Sequence, residues 1–172
     1  MMMQDEIHDP AHLTYMVFLV RAAAELHHQL KTIVLPHEAK NLHWGLPEAK
    51  LANAFLRKAQ LQSANLERAD LRNADLVDAN LWEAYLSRAN FEGADLEGAC
   101  LYGADLRYAN LTGANMKNCA VAYADLRYAN LKGANLEGCE LGLTLFHGYE
   151  IGQAINVDFE PPAQLLEDIL RQ

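Results

Sequence analysis

A large apolar side chain returns at every fifth position from Leu51 to Phe146, twenty times without an insertion. It is leucine at most centres and Phe91, Met116, Val121 or Phe146 at the rest. Two residues before each centre the side chain is small: alanine at seventeen of the twenty places, with Cys119, Cys139 and Thr144 at the others. A helix face recurs every 3.6 residues and a strand face every 2, so a period of five fits neither. A position that is always large and apolar is buried, and one that is always small is buried where space is tight. The other three positions vary and are mostly polar, which predicts that they face water. Each unit therefore sends two residues in and three out, and the chain must turn at every unit. That describes a coil with flat sides.

The number of sides follows from internal near-copies. ADLRYANLTGAN at 104–115 and ADLRYANLKGAN at 124–135 differ only at Thr112 and Lys132, at an offset of 20. ANFEGADLEG at 89–98 resembles ANLKGANLEG at 129–138 at an offset of 40. Like residues stack on successive coils when one coil takes four units, which predicts about five coils. Coils that pair like parallel strands lie about 4.8 Å apart, so the stack is roughly 24 Å tall.

The in-phase units, typified by ADLRYANLKGANLEG at 124–138, resemble the pentapeptide-repeat family, whose motif is A(D/N)LXX. The match covers residues 46–148. The resemblance implies an all-β solenoid, a right-handed quadrilateral parallel β-helix. Four sides follow from the residues as well; the handedness comes from the resemblance alone.

A stacked solenoid exposes core and backbone at both ends and needs caps. Residues 1–45 are expected to form an N-terminal helical segment: Asp9-Pro10 reads as a helix start, and an apolar face runs from Leu13 to Val34 before Pro36. Residues 149–172 are expected to form a C-terminal cap with a short helix, where Pro161-Pro162 precedes AQLLEDILR. Either helix could also make a homodimer.

Catalysis is not expected. The inward positions are Ala and Leu, which leave no polar pocket for a substrate. Six of the seven histidines lie in residues 1–45, and His147 stands alone in the repeats. His8 and His12 are four apart, but Pro10 lies between them, so neither a metal nor a cofactor is expected. Cys119 and Cys139 occupy inward small positions one coil apart, while Cys100 points outward. The three cysteines suggest neither a disulfide framework nor a zinc site.

The net charge of −9 disfavours direct binding to nucleic acid or an anionic membrane. TYMVFLV, the most apolar stretch, is too short to span a bilayer. The first nine residues are acidic, a poor start for a secretory signal, so a soluble cytoplasmic protein is expected.

Function then falls to the outward residues. Counting sides from Leu51, the third carries Trp82, Tyr102 and Tyr123, and the fourth carries Tyr85, Tyr108 and Tyr128. Trp and Tyr are favoured interface anchors, so this aromatic margin is the expected site for an unknown protein partner. The competing site is an acidic patch on the second side, Asp75, Asp78, Asp95 and Glu97. The resemblance supplies its meaning, because some family members bind DNA gyrase or related topoisomerases by imitating duplex DNA. Against it, the repeats hold 13 acidic and 10 basic residues, a net of only −3.

Overall fold

The computed structural model describes residues 47–146 and 153–155. Within them the chain turns a corner in every unit. The carbonyl of each apolar centre accepts the N–H three residues on, as from Ala54 to Leu51 at 3.1 Å and from Ala94 to Phe91 at 2.9 Å. The second residue inside each turn has positive φ at all twenty corners from Glu48 to Leu143, between +52° and +69°. A left-handed second residue after an ordinary first one marks a type II turn. Only six of these residues are glycine; Tyr108, Tyr123, Tyr128 and Leu143 hold the same conformation. Each such side chain costs about 1–2 kcal/mol relative to glycine, which the surrounding ladder must offset. At Gly98 (φ +68°) a Cβ would also stand 2.7 Å from Asp78 Oδ1, whereas at Gly113 (φ +65°) the space is open.

Successive coils pair in parallel at a constant offset of twenty. Bridges join Lys50 to Asp70, Phe55 to Asp75 and so on to Asp125 with Leu145, and Asn135 pairs with Ile155 in the same register. The twenty-residue coil read from the sequence copies is therefore the observed one. No extended strand forms among the described residues. A corner every five residues leaves each side one bridging residue, so the sides are ladders of single bridges rather than strands.

The hydrogen bonds explain the motif position by position. Within a unit, the N–H of the apolar centre and that of the second turn residue reach carbonyls of the next coil, as Leu51 to Asp70 at 2.7 Å and Asn53 to Arg72 at 2.8 Å. The residue before the centre donates to the preceding coil, as Asp70 to Ala49 at 2.8 Å, and the small residue closes the turn. One N–H per unit remains, that of the residue after the centre. At twelve corners it donates to the Oδ1 of the Asp or Asn two residues earlier, at 3.1–3.3 Å. The motif asks for Asp or Asn because a short side chain with an acceptor completes the backbone accounting. These residues were expected to face water; most are half-buried structural parts of the corner instead.

The core is the two inward series. Every centre from Leu51 to Leu141 is buried, with 7% the largest exposure, and so is every small residue from Ala49 to Ala134. Cys139, Thr144 and Phe146, at the distal end, are partly buried. Where the small residue is polar it donates to a carbonyl: Cys119 Sγ to Leu96 O at 2.9 Å, Cys139 Sγ to Met116 O at 2.9 Å, and Thr144 Oγ1 to Val121 O at 2.8 Å. The helices expected in 1–45 and 149–172, and with them the seven histidines, lie outside the described residues. Among the described residues no group of side chains is arranged to hold a metal ion, and no helix is long and apolar enough to cross a membrane.

Candidate protein-binding surface

All six aromatic residues of the margin stand outward. Tyr102 is 39% exposed, Tyr85 and Trp82 slightly more, and Tyr108, Tyr123 and Tyr128 more than half. Four of them are held against one another by the coil spacing. Tyr108 and Tyr128 occupy the same turn position in adjacent coils, so their rings stack at 4.8 Å with planes 10° apart. Arg88, one coil earlier in the column, lies over Tyr108 with its guanidinium carbon 5.5 Å from the ring centre. Tyr102 and Tyr123 sit at different turn positions and meet tilted, 5.0 Å apart at 48°. These rings are preorganised, so a partner need not pay to order them.

Charge on the fourth side is paired internally except at Arg88, which lies over a ring. Asp105-Leu106-Arg107 and Asp125-Leu126-Arg127 each form a two-pronged pair across one corner. Arg107 donates from Nε at 2.8 Å and from a terminal nitrogen at 2.7 Å. Arg127 does the same at 2.9 and 2.6 Å. Asp70 and Arg72 repeat the arrangement on the first side. The hydrogen bond from its arginine, helped by the adjacent positive charge, holds the carboxyl of Asp70, and likewise that of Asp125, below the ordinary carboxylate range despite partial burial.

That shift sets a pH dependence. Both groups titrate lower in the folded chain than in the unfolded one, so the unfolded chain takes up protons first as pH falls. Their contribution is complete above the ordinary Asp value of about 3.9 and disappears below it. The urea midpoint is expected to fall between neutral pH and about pH 3, and to fall less in the Asp70→Asn/Asp125→Asn variant. A midpoint that rises on acidification contradicts this.

The acidic patch is also partly neutralised. Arg57 Nε donates to Asp75 at 3.1 Å, and Lys58 lies 3.9 Å from Asp78. Asp95 accepts Asn115 Nδ2 at 2.9 Å and the Glu97 N–H at 3.2 Å. Lys117 pairs with Glu137 at 2.9 Å, and this hydrogen bond, with a smaller contribution from the Glu97 charge, holds its ammonium above the usual range. Asp75 and Asp95 are corner residues of the same kind as Asn115 above them, not a free acidic stripe.

The family model for pentapeptide repeats matches the chain in eight copies, over residues 48–76, 74–113 and 99–142. The chain belongs to the pentapeptide-repeat family. Membership brings with it the right-handed, four-sided β-helix. Among solved structures, a pentapeptide-repeat protein of the Arabidopsis thaliana thylakoid lumen is 28% identical over 59% of this chain and 71% of that one, with a TM-score of 0.50. One from the cyanobacterium Cyanothece is 42% identical over 55% and 61%, with a TM-score of 0.39. HetL from the cyanobacterium Nostoc, involved in heterocyst differentiation regulation, is 36% identical over 60% and 50%, with a TM-score of 0.37. This chain thus spans half the length of HetL and about three fifths of the Cyanothece protein. No curated protein matches it.

In pentapeptide-repeat terms, the third side departs from the motif in a way the sequence reading missed. Its corner acceptor is replaced by Cys100, Ala120 and Glu140 in successive coils, and at Tyr85 on the fourth side as well. The N–H groups of Ser87, Tyr102, Ala122 and Gly142 consequently have no acceptor among the described residues. The signal was available as the loss of Asp or Asn before Leu86, Leu101, Val121 and Leu141. Corner acceptors are also missing in the first coil, at Lys50, Phe55 and Gln60, but only on this margin does the loss recur through successive coils. Phe55, 49% exposed on the second side, was not among the expected interface residues either.

Proposed function

We propose that this pentapeptide-repeat protein is a non-enzymatic interaction module, a stack of about five coils with helical ends, which binds another protein through its third and fourth sides. The inward positions are filled by Leu and Ala, so chemistry with a partner belongs to the outer faces. The observation that carries the reading is the margin of Trp82, Tyr85, Tyr102, Tyr108, Tyr123 and Tyr128. Its rings are exposed, and four of them, Tyr102, Tyr108, Tyr123 and Tyr128, are fixed in pairs by coil stacking. Large rings lose the stabilisation of burial while they stand in water, and a partner restores it. The unfilled N–H groups on the same margin offer that partner backbone donors.

The test is affinity capture from the source organism with the full chain, followed by Trp82→Ala/Tyr102→Ala. Interface anchors of this kind cost about 2 kcal/mol or more each when truncated, so the double variant is expected to lose the captured partner. Its unfolding midpoint should stay near that of the parent, because both side chains are exposed. Retention of the partner at parental affinity contradicts the proposal.

A further inference from the structure

Cys119 and Cys139 are unlike the one other departure from alanine in the inward series, Thr144, because they occur as a pair in successive coils. Both thiols are oriented alike, each donating to a carbonyl 23 residues earlier at 2.9 Å. The coils that carry them are tied directly together, with the Glu140 N–H donating to Cys119 O at 2.9 Å and Ala120 bridged to Glu140. Adjacent parallel segments lie about 4.8 Å apart, inside the Cα separations of about 4.4–6.8 Å that disulfides span. Cys119 is fully buried, whereas Cys139 sits at the partly open distal end.

We propose that Cys119 and Cys139 form a redox couple, an intercoil dithiol that a hydroperoxide converts to a disulfide. The neighbouring Cys139 thiol, and then burial, push the Cys119 thiol well above its usual range. With the Cys119 thiol beside it, Cys139 is shifted the other way, below its usual range. Cys139, at the partly open end, is the sulfur that solvent reaches, and it is therefore the attacking thiolate. Its sulfur attacks the peroxide O–O bond; an S–O bond forms and hydroxide or alkoxide leaves and takes a proton. The Cys119 sulfur then attacks the Cys139 sulfenic acid. The S–S bond forms, the S–O bond breaks, and hydroxide departs with the Cys119 proton as water. Two thiols and one hydroperoxide give one disulfide, one water and one further water or alcohol. The disulfide would fasten the last coils beside Tyr123, on the margin assigned above to the partner.

The experiment treats the full chain with hydrogen peroxide, blocks free thiols, and digests it with trypsin without reductant. Cleavage after Lys117, Arg127 and Lys132 puts Cys119 and Cys139 on different peptides, 118–127 and 133–171, and Cys100 on a third. The expected product is the first two joined, lighter by two hydrogens and released by dithiothreitol. The link should persist in Cys100→Ser. It should vanish in Cys119→Ala, which places the usual residue of the series in that position, and dimedone should then label Cys139. A link through Cys100, over-oxidation of Cys139 in the parent chain without a link, or no reaction at Cys119 and Cys139 overturns the proposal.

Discussion

Phe91→Ala is expected to destabilise the coil by about 3–5 kcal/mol, the upper range for deleting a buried aromatic side chain. Phe91 is fully buried and is the largest such side chain in the core. The space it leaves is hard to close. Its own N–H is held by Asn110 O at 2.7 Å and its carbonyl by Ala94 N at 2.9 Å, so the backbone on either side is fixed by the ladder. Leu71 and Leu111, its counterparts in the coils before and after, are equally pinned. Phe91→Leu restores the commonest residue of the series and should cost less than about 1.5 kcal/mol. Urea unfolding of the two variants checks the pair. An alanine variant as stable as the leucine variant contradicts the packed core.

Ala94→Leu is expected to cost about 1–3 kcal/mol or more from the opposite cause, overpacking. Ala94 is fully buried at the narrow inward position. Asp95 N–H donates to Ala74 O at 2.9 Å, and Asn115 N–H donates to Ala94 O at 2.9 Å. The coils cannot spread to admit three more carbons without breaking those bonds. The series admits larger residues only toward the distal end, at Cys119, Cys139 and Thr144. An unchanged urea midpoint for Ala94→Leu contradicts the tight inner corner.

The coil was legible because burial acts on residue type directly. Leu at every fifth place and Ala two before it could be read as two inward series, and the copies at an offset of 20 gave the four sides. The Asp and Asn before most centres were misread because a short polar side chain looks the same whether it is solvated or capping a corner. Their partner is a backbone N–H, which no side-chain pattern records. The left-handed turn residues were hidden for a related reason. Gly93 and Gly98 signal positive φ, but Glu48, Tyr108 and Leu143 hold the same angle because the ladder imposes it.

The candidate surface was legible only in part. Tyr128 above Tyr108 follows from the offset of 20, as does Arg88 beneath Tyr108. Tyr102 against Tyr123 does not, since an offset of 21 joins different turn positions and depends on how each side chain leans. The acidic patch read as a net charge in sequence. Its neutralisation by Arg57 and Lys58 depends on which side chains one coil apart face each other.

The aromatic margin and the acidic patch make opposite demands on salt. Exposed charges more than a Debye length apart are screened, and that length is about 8 Å at physiological ionic strength; contact between rings and apolar surface is not weakened in this way. The decisive measurement is the affinity of the captured partner for the full chain between about 50 and 200 mM salt, a range over which multiple charge contacts lose orders of magnitude. The account predicts an affinity nearly constant with salt, lost in Trp82→Ala/Tyr102→Ala and kept in Asp75→Asn/Asp95→Asn. An affinity that falls steeply with salt, survives the aromatic substitutions and is lost with Asp75 and Asp95 would contradict it, and would place the contact on the acidic side as a DNA-imitating surface requires.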